Sequence, residues 1–585
     1  MIFENNRVIK PAVDKLNYDR PWLKFYGKET LPNVEYPDKT LYEMLKDTAI
    51  HHPDNAAIEF MGTQIKFSEL LSYVDVCAKG LYEIGVREGD VFTVCLPNVP
   101  HAIIIFYAIS KVGAIANMIH PLSAPREIQY ALELTKSEFI ITTDFLYKNV
   151  KALKGELKLK KIVICKMGDY LSTLLSLGFW VTSGRKIPKI DYENDTSLEK
   201  WSGLVDKGIK SGANVKSTKN VNDGAVILYS GGTTGKQKGI LLSSMNFNAL
   251  AIQLPVHVEE TILNDKMMCI MPLFHGFGLG VCMHTPIVFG ASVILVPKFS
   301  ADEFAKVFAK HKPQFMAGVP TLYEALTRSE VMKKADFSCL KGAFAGGDTL
   351  SQEIKEKFDA FMKERGGKVE IQEGFGLTET VTASCITPKG QYRPKSAGIP
   401  CPDMIYKIFE DGTEIPCPAN VDGEICICGP TTMLEYYNEP EETALVIKIH
   451  EDGLRWVHTG DMGCMDEDGF VYFKQRIKRI IKSSGYSVYP TQIEDVISKH
   501  EAVSMNCVIG VPDDYQIERI KAVIVLKDGY NKDDAMRQSI LDHCKEYLAK
   551  WSTPRDIEFR DELPTTKVGK IAYRELEDEY SEKIG

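Results

Sequence analysis

Ala225-Val226-Ile227-Leu228-Tyr229-Ser230-Gly231-Gly232-Thr233-Thr234-Gly235-Lys236-Gln237-Lys238-Gly239 passes from an apolar run into a loop of glycines, hydroxyls and lysines. The apolar residues read as a buried strand. Glycines let backbone N–H groups close around phosphate oxygens. Ser230, Thr233 and Thr234 add hydroxyl donors, and Lys238 adds a point charge. A Walker A loop needs four residues between its first glycine and Gly-Lys, followed by Ser or Thr. Here the spacing is shorter, and Gln237 follows Gly235-Lys236. The loop therefore points to a nucleotide triphosphate held by something other than a P-loop fold.

Outward from this loop, strand-like apolar runs recur at Val91–Leu96, Phe139–Thr142 and Ala291–Val296. Helical patterns separate them. Leu70, Val74, Cys77, Leu81 and Ile84 follow Ser68, a candidate N-cap, at helical spacing, and Gly85 ends the run. This alternation predicts an α/β domain with largely parallel sheets flanked by helices. Regular structure is expected from Thr40, preceded by an arm, residues 1–40, lying on the surface. After Trp456 the texture changes to a turn at Asp466-Glu467-Asp468-Gly469, a short strand Phe470–Phe473 and a basic run from Lys474 to Lys482. Strands at Val508–Val511 and Ala522–Leu526 and a helix around Asp533–Ala549 complete a small α+β domain, placed at 478–585.

The bulk numbers fit this organisation. With 585 residues the chain has room for about 3–4 domains. It is 44% apolar and 25% charged, as expected of a soluble protein with a large core. A net charge of -9 gives no global attraction to nucleic acid. The 14 cysteines include no Cys-x-x-Cys pair, so they read as buried thiols of a reducing compartment, and a cytoplasmic location is expected. Neither a signal peptide nor a run of about 20 apolar residues is evident. An insertion, placed at 151–215, carries Leu171-Ser-Thr-Leu-Leu-Ser-Leu-Gly-Phe-Trp-Val181 between basic flanks. That stretch fits a core or homodimer-contact helix, or an interfacial contact peripheral to a membrane.

The order of motifs resembles the AMP-forming acyl-CoA synthetases of the adenylate-forming superfamily. The resemblance rests on Leu96-Pro97-Asn98, the loop Tyr229–Gly239, Met271-Pro-Leu-Phe-His275, Gly374-Phe-Gly-Leu-Thr-Glu379, Gly423-Glu424, Trp456-Val-His-Thr-Gly-Asp461, Arg476–Pro490 and Pro564-Thr-Thr-Lys-Val-Gly-Lys570. Within the family it is most similar to bacterial long-chain fatty acid–CoA ligases, through Arg20-Pro21-Trp22-Leu23, the Gly231-Gly232 form of the loop, and His311-Lys312-Pro313 with Pro320-Thr321-Leu322-Tyr323. Some positions depart: Gln237 replaces a proline, and Gly347-Asp348 replaces small apolar residues after Gly346.

The resemblance implies a domain over 40–477 that binds ATP and an acyl group, and a mobile domain over 478–585 hinged at Lys478. It implies two steps, in which a carboxylate attacks the α-phosphate of ATP and the thiol of coenzyme A then displaces AMP. Such chemistry needs positioning and cations rather than a nucleophilic side chain. Ser230, Gly231, Gly232, Thr233, Thr234, Gly235 and Lys238 would hold the phosphates. Glu379 would bind Mg²⁺, and Thr378 would contact the α-phosphate. Gly346, Glu373, Gly374 and Phe375 would form the adenine pocket, with Phe375 stacked on the base. Asp461 and Arg476 would take the ribose, and His275 would line the junction of acyl pocket and phosphate. Gly276, Gly278 and Gly280 fit either a tunnel for a long chain or tight backbone packing. Lys570 would serve the first step, and Lys482, Ser484, Gly485 and Tyr486 the second, while Lys474 and Arg479 fit a solvated basic face. The implied activity is ligation of a medium- to long-chain fatty acid to coenzyme A. Aryl acids, transfer to a carrier protein and a non-catalytic acyl-nucleotide sensor are the alternatives.

Overall fold

The computed structural model describes the chain except residues 1–7, 10–18, 154–156, 172–189, 231–236, 298–299, 480, 484–485, 514–516, 549–550, 566–570 and 583–585. It forms two compact units. The first comprises Met1–Tyr406, Ile427–His458 and Asp468–Phe470, and the second Lys407–Cys426, Thr459–Glu467 and Val471–Gly585.

Two large sheets build the first unit. In the eight-stranded one, Gly224–Ser230, Ile115–Met118, Val91–Cys95, Phe139–Thr143, Lys161–Cys165 and Leu198–Lys200 lie side by side, with Val91–Cys95 between Ile115–Met118 and Phe139–Thr143. These contacts are parallel. The nine-stranded sheet has a parallel centre, from Ile371–Gly376 through Gly342–Gly346, Phe315–Gly318 and Lys266–Cys269 to Ser292–Leu295 and Ala56–Phe60. Val91–Cys95 and Phe139–Thr143 are buried along their whole length. Sheets covered on both faces require such continuous apolar runs, which is why the runs were readable.

Helices supply the cover. Pro100–Val112 starts on a proline at its first turn and ends at Gly113, whose φ of 81° suits a glycine C-cap. Ile103, Ile104, Ile105 and Phe106 are all buried, so this helix is apolar on every side. Ser244–His257 is similarly buried and packs against strands of both sheets. Leu41–His51 begins at Thr40 with a reciprocal cap, Thr40 N–H donating to Glu43 Oε2 at 2.8 Å. Phe67–Glu83 starts one residue before the expected cap: Lys66 is the cap position and donates its N–H to Glu69 Oε2 at 2.8 Å.

The arm departs from expectation. Its described part is not laid on the surface, because Trp22, Val34 and Tyr36 are buried. Val34 N–H and Tyr36 O–H both donate to Asp403 Oδ2, at 2.9 and 2.6 Å. In the region assigned as an insertion, Lys161–Cys165 and Leu198–Lys200 extend the first sheet, and Trp201–Lys210 packs on Phe67–Glu83. Gly80 and Gly208 allow backbone to meet backbone there, since a side chain on either would overlap the Leu204 or Val76 carbonyl. Apart from Leu171, residues 171–181 lie outside the described residues.

In the second unit, Val503–Asp513 and Ile517–Leu526 form a long antiparallel pair, and Asp556–Arg560 joins Ile517–Leu526 in parallel. Asp533 caps the helix Asp534–Tyr547 through its carboxylate and Met536 N–H, 2.9 Å apart. Arg479 and Lys474 are not a solvated face: Arg479 pairs with Glu494 at 2.6 Å and lies over the Tyr573 ring, and Lys474 pairs with Asp422 at 2.5 Å. All 14 cysteines are free thiols. No helix among the described residues is long and apolar enough to cross a membrane.

Two buried histidines link this core to pH. His284 bonds Tyr107 O–H at 2.9 Å and Asn248 Oδ1 at 3.0 Å, and His257 bonds the Ile386 carbonyl at 3.1 Å. Burial pushes His284 down to about 3 and His257 down to about 4. Both rings stay neutral when folded, whereas the unfolded chain takes up protons below its ordinary value of about 6.5. Stability from these sites is complete above that value and falls on acidification, by up to about 1.4 kcal/mol per pH unit for each ring. The melting temperature is expected to fall between pH 7 and pH 5, and His284→Gln should flatten the decline; an unchanged slope would remove His284 from the linkage.

Candidate functional site

The glycine-rich loop closes an antiparallel hairpin. Gly224–Ser230 pairs with Lys238–Ser243, Ser230 opposite Lys238, so the chain turns back strand to strand across residues 231–237. A P-loop instead leads from strand into helix, and the difference accounts for the non-Walker spacing. Gly231, Gly232, Thr233, Thr234 and Gly235 lie outside the described residues, and Ser230 is placed through its backbone. The far end of the loop is held by Tyr130 O–H, which donates to the Gln237 carbonyl at 2.8 Å. This anchor uses the backbone carbonyl of residue 237 and so does not depend on its side chain.

Lys238 starts the returning strand. Its ammonium lies 4.6 Å from the centre of the Tyr436 ring and forms an ion pair with Glu442. Tyr436 O–H donates to Glu379 Oε1 at 2.8 Å. Tyr436 thereby joins the expected phosphate lysine to the expected metal carboxylate. Glu379 sits in the short helical turn Thr378–Thr380, closed by Thr380 Oγ1, which accepts from Leu377 N–H at 3.1 Å. The Glu379 carbonyl accepts from Met433 N–H at 2.7 Å.

The other site residues come from ends of parallel strands, where α/β sheets hold ligands. Gly346 and Gly374 lie opposite one another in adjacent strands. Phe375 meets Tyr406 edge to face, with ring centres 6.4 Å apart. Glu373 is pushed up to about 7, chiefly by burial, with Asp348 adding and the Leu350 N–H and Lys355 opposing. Its Oε1 accepts from Leu350 N–H at 3.1 Å. Gly347 and Asp348 are exposed, with Gly347 at φ 84°, so this departure from the family forms a turn rather than a buried wall.

His275 follows the strand Lys266–Cys269, and the Asn98 side chain braces this strand end. Asn98 Nδ2 donates to the carbonyls of Cys269 and Met271, at 3.2 and 3.0 Å, and Asn98 Oδ1 accepts from Leu273 N–H at 3.1 Å. Two motifs separated in sequence are therefore one structural feature. His275 Nδ1 accepts from Phe277 N–H at 3.2 Å. Of the two readings of the glycines that follow, the structure supports tight packing: a side chain on Gly276 would overlap the Val381 carbonyl, and one on Gly278 the Met271 and Pro272 carbonyls.

In the second unit Asp461 and Arg476 face one another in an antiparallel pair, with Nε and Oδ1 3.2 Å apart. Gly460 has φ 67° and donates its N–H to Glu424 Oε1 at 2.9 Å, which sets the turn presenting Asp461. Lys478, Lys482 and Tyr486 are described through their backbone, in Ile477–Arg479, Ile481–Ser483 and Tyr486–Val488. Ser484, Gly485 and Lys570 lie outside the described residues. Sequence reasoning missed Tyr436 and Glu442. The signal available was Tyr436-Tyr437-Asn438-Glu439-Pro440, an aromatic run leading into a proline-started helix.

The fold and the family match make this an adenylate-forming enzyme. The chain belongs to the AMP-binding enzyme family: the family model matches residues 45–437, and that of the AMP-binding enzyme C-terminal domain matches residues 492–570. Among curated relatives, a long-chain-fatty-acid–CoA ligase of Bacillus subtilis is 35% identical over 571 residues, covering 96% of this chain and 98% of the relative. One from Salmonella typhimurium is 30% identical over 573 residues, covering 96% and 99%. Among solved structures, the anthranilate CoA ligase AuaEII with anthranoyl-AMP superposes with a TM-score of 0.77 at 25% identity, covering 94% of this chain and 98% of that one. ATP-bound MatB from Rhodopseudomonas palustris shares the fold with a TM-score of 0.80 at 23% identity, covering 94% and 100%.

The Asn98 brace can be tested directly. Asn98→Ala leaves the Leu273 N–H and two carbonyls without their side-chain partner, at a cost of about 1–3 kcal/mol per buried group. A lower urea midpoint is expected, with a loss of turnover beyond the unfolded fraction as the His275 turn loosens. Turnover per folded molecule equal to the parent's would confine Asn98 to stability.

Proposed function

We infer that the chain is an ATP-dependent, AMP-forming acid–CoA ligase that takes medium- to long-chain fatty acids. The observation that carries the reading is 35% identity across nearly the whole chain to a long-chain-fatty-acid–CoA ligase. The corner of Lys238, Tyr436 and Glu379 supports it chemically. The acid's carboxylate attacks the α-phosphate, the bond to pyrophosphate breaks, and an acyl-adenylate remains. The coenzyme A thiolate then attacks the acyl carbon and AMP leaves. Lys238 and the hairpin loop bind phosphate oxygens, Phe375 stacks on adenine, and Asp461 accepts the ribose hydroxyls. Glu379 suits Mg²⁺: it offers a hard oxygen donor, and its Oε2 accepts no hydrogen bond among the described residues. When bound, the ion neutralises charge on the phosphates. Cytoplasmic residence, a homodimer and a peripheral membrane contact through residues 171–181 belong to the same proposal and rest on the sequence.

A screen of pyrophosphate release across saturated and aryl acids tests the substrate. Each buried CH₂ is worth about 0.8 kcal/mol, so four more carbons add about 3 kcal/mol, over a hundredfold in kcat/KM. Faster turnover of benzoate or acetate than of decanoate would replace the fatty acid reading with an aryl or short-chain one, and turnover independent of coenzyme A would favour a carrier protein.

Lys570 and the Lys482–Gly485 stretch are assigned to different half-reactions, with rotation of the C-terminal domain about Lys478 between them. Lys570→Ala is expected to cripple acyl-adenylate formation and to spare thioester formation from a synthetic acyl-adenylate, and Gly485→Leu to do the reverse. Rapid-quench assays of each step decide; parallel loss of both steps in folded Lys570→Ala protein would end the rotation account.

A further inference from the structure

The segment from Met433 to Val446 belongs to none of the motifs read from the sequence, yet it holds Tyr436 and Glu442, the neutral ring and the carboxylate that contact the Lys238 ammonium. Glu435–Tyr436 adds a short strand to the outer edge of the hairpin, Tyr436 opposite Ile240. Leu434 and Tyr437 continue the ladder on either side, donating to the carbonyls of Leu241 and Gly239 at 2.8 and 2.6 Å. The short helix Pro440–Val446 folds back onto this strand, where Thr443 Oγ1 accepts from Tyr436 N–H at 2.9 Å. Tyr436 and Glu442 are thus delivered from one anchored piece of backbone, the first beneath the Lys238 ammonium and the second against it.

We propose that Glu442 is an internal counter-ion for Lys238, given up in exchange for the nucleotide phosphates, and that Tyr436 keeps the ammonium in place during the exchange. The inference rests on the reading of Lys238 as the phosphate lysine. The Lys238 side chain is only 14% exposed, so an ammonium there needs a partner when no substrate is bound. Glu442 is 41% exposed and lies on a helix with no buried residue, so it can turn into solvent without disturbing a core. A triphosphate brings several negative charges to the same ammonium, and a carboxylate held beside them would repel them. The aromatic face of Tyr436 attracts the cation whichever anion is present. Its hydroxyl, bonded to Glu379, keeps lysine and carboxylate at a fixed separation while the anions change places.

Exchange predicts that the resident carboxylate weakens nucleotide binding. Binding of ATP with Mg²⁺ to the full chain, without acid or coenzyme A, can be followed by titration calorimetry. Glu442→Gln is expected to bind ATP about three- to tenfold more tightly at low salt, the range of a partly exposed ion pair. The gain should fade at high salt and largely vanish in a Lys238→Met background. Affinity equal to or weaker than the parent's would overturn the proposal, and so would an equal gain in both backgrounds, because that is a long-range charge effect. Pyrophosphate release by the parent with decanoate separates the two levels of inference. No release and no ATP binding would sink the ligase reading and this one with it, while release with unchanged affinity in Glu442→Gln would sink this one alone.

Discussion

At Gly276 two stretches of backbone come so close that any side chain would occupy the position of the Val381 carbonyl. The contact joins the turn after Lys266–Cys269, which carries His275, to the turn Thr378–Thr380, which carries Glu379. Val381 adopts φ 64° and ψ -55°, a conformation that costs a β-branched residue on the order of 1–3 kcal/mol. It is fully buried, so its surroundings hold it there. Gly278 repeats the device two residues on, against the carbonyls of Met271 and Pro272, within the wide helix Phe277–His284. The spacing of histidine and carboxylate is thus set by backbone touching backbone, which leaves little freedom, rather than by long side chains.

The remaining cations and anions are arranged on that fixed base. A P-loop adds the dipole of a helix N-terminus to its glycine cradle. A hairpin loop has no helix behind it, so positive charge must come from side chains. In the function we propose, Lys238 supplies it from the first residue of the returning strand, where the Tyr436 ring and Glu442 carboxylate hold its ammonium. For a reaction between two anions, cations already in position lower the barrier without reorganising during the step. The strand Glu435–Tyr436 is therefore more than an edge of the sheet.

Where one side chain and its near neighbours decide the structure, the sequence was readable. The apolar runs of the first unit became strands within a residue or two, and helices began at the expected Thr40 and Asp533, while the cap expected at Ser68 fell on Lys66. What stayed hidden depends on partners far along the chain. Tyr36 is buried because Asp403 meets it from 367 residues away, and nothing near Tyr36 announces that. Glycines after His275 have the same composition whether they widen a tunnel or admit a carbonyl, and at Gly276 it is Val381, about a hundred residues on, that decides. Arg479 looked solvated because Glu494 and Tyr573 are remote in sequence. Tyr436 and Glu442 went unread for the same reason: their roles exist only in relation to Glu379 and Lys238.

Glu373 shows how burial completes the electrostatics of the strand ends. It lies between the exposed turn at Gly347-Asp348 and the glycine beside Phe375. Desolvation favours the neutral acid there, and the field of Asp348 works in the same direction. Lys355 and the Leu350 N–H oppose the shift without cancelling it, and the carboxyl reaches about 7. Near neutral pH a large share of Glu373 carries its proton, so this strand end loses one negative charge while keeping a hydrogen-bonding group that pins the neighbouring turn. Asp348 therefore acts on this strand end through charge, from a solvent-exposed turn.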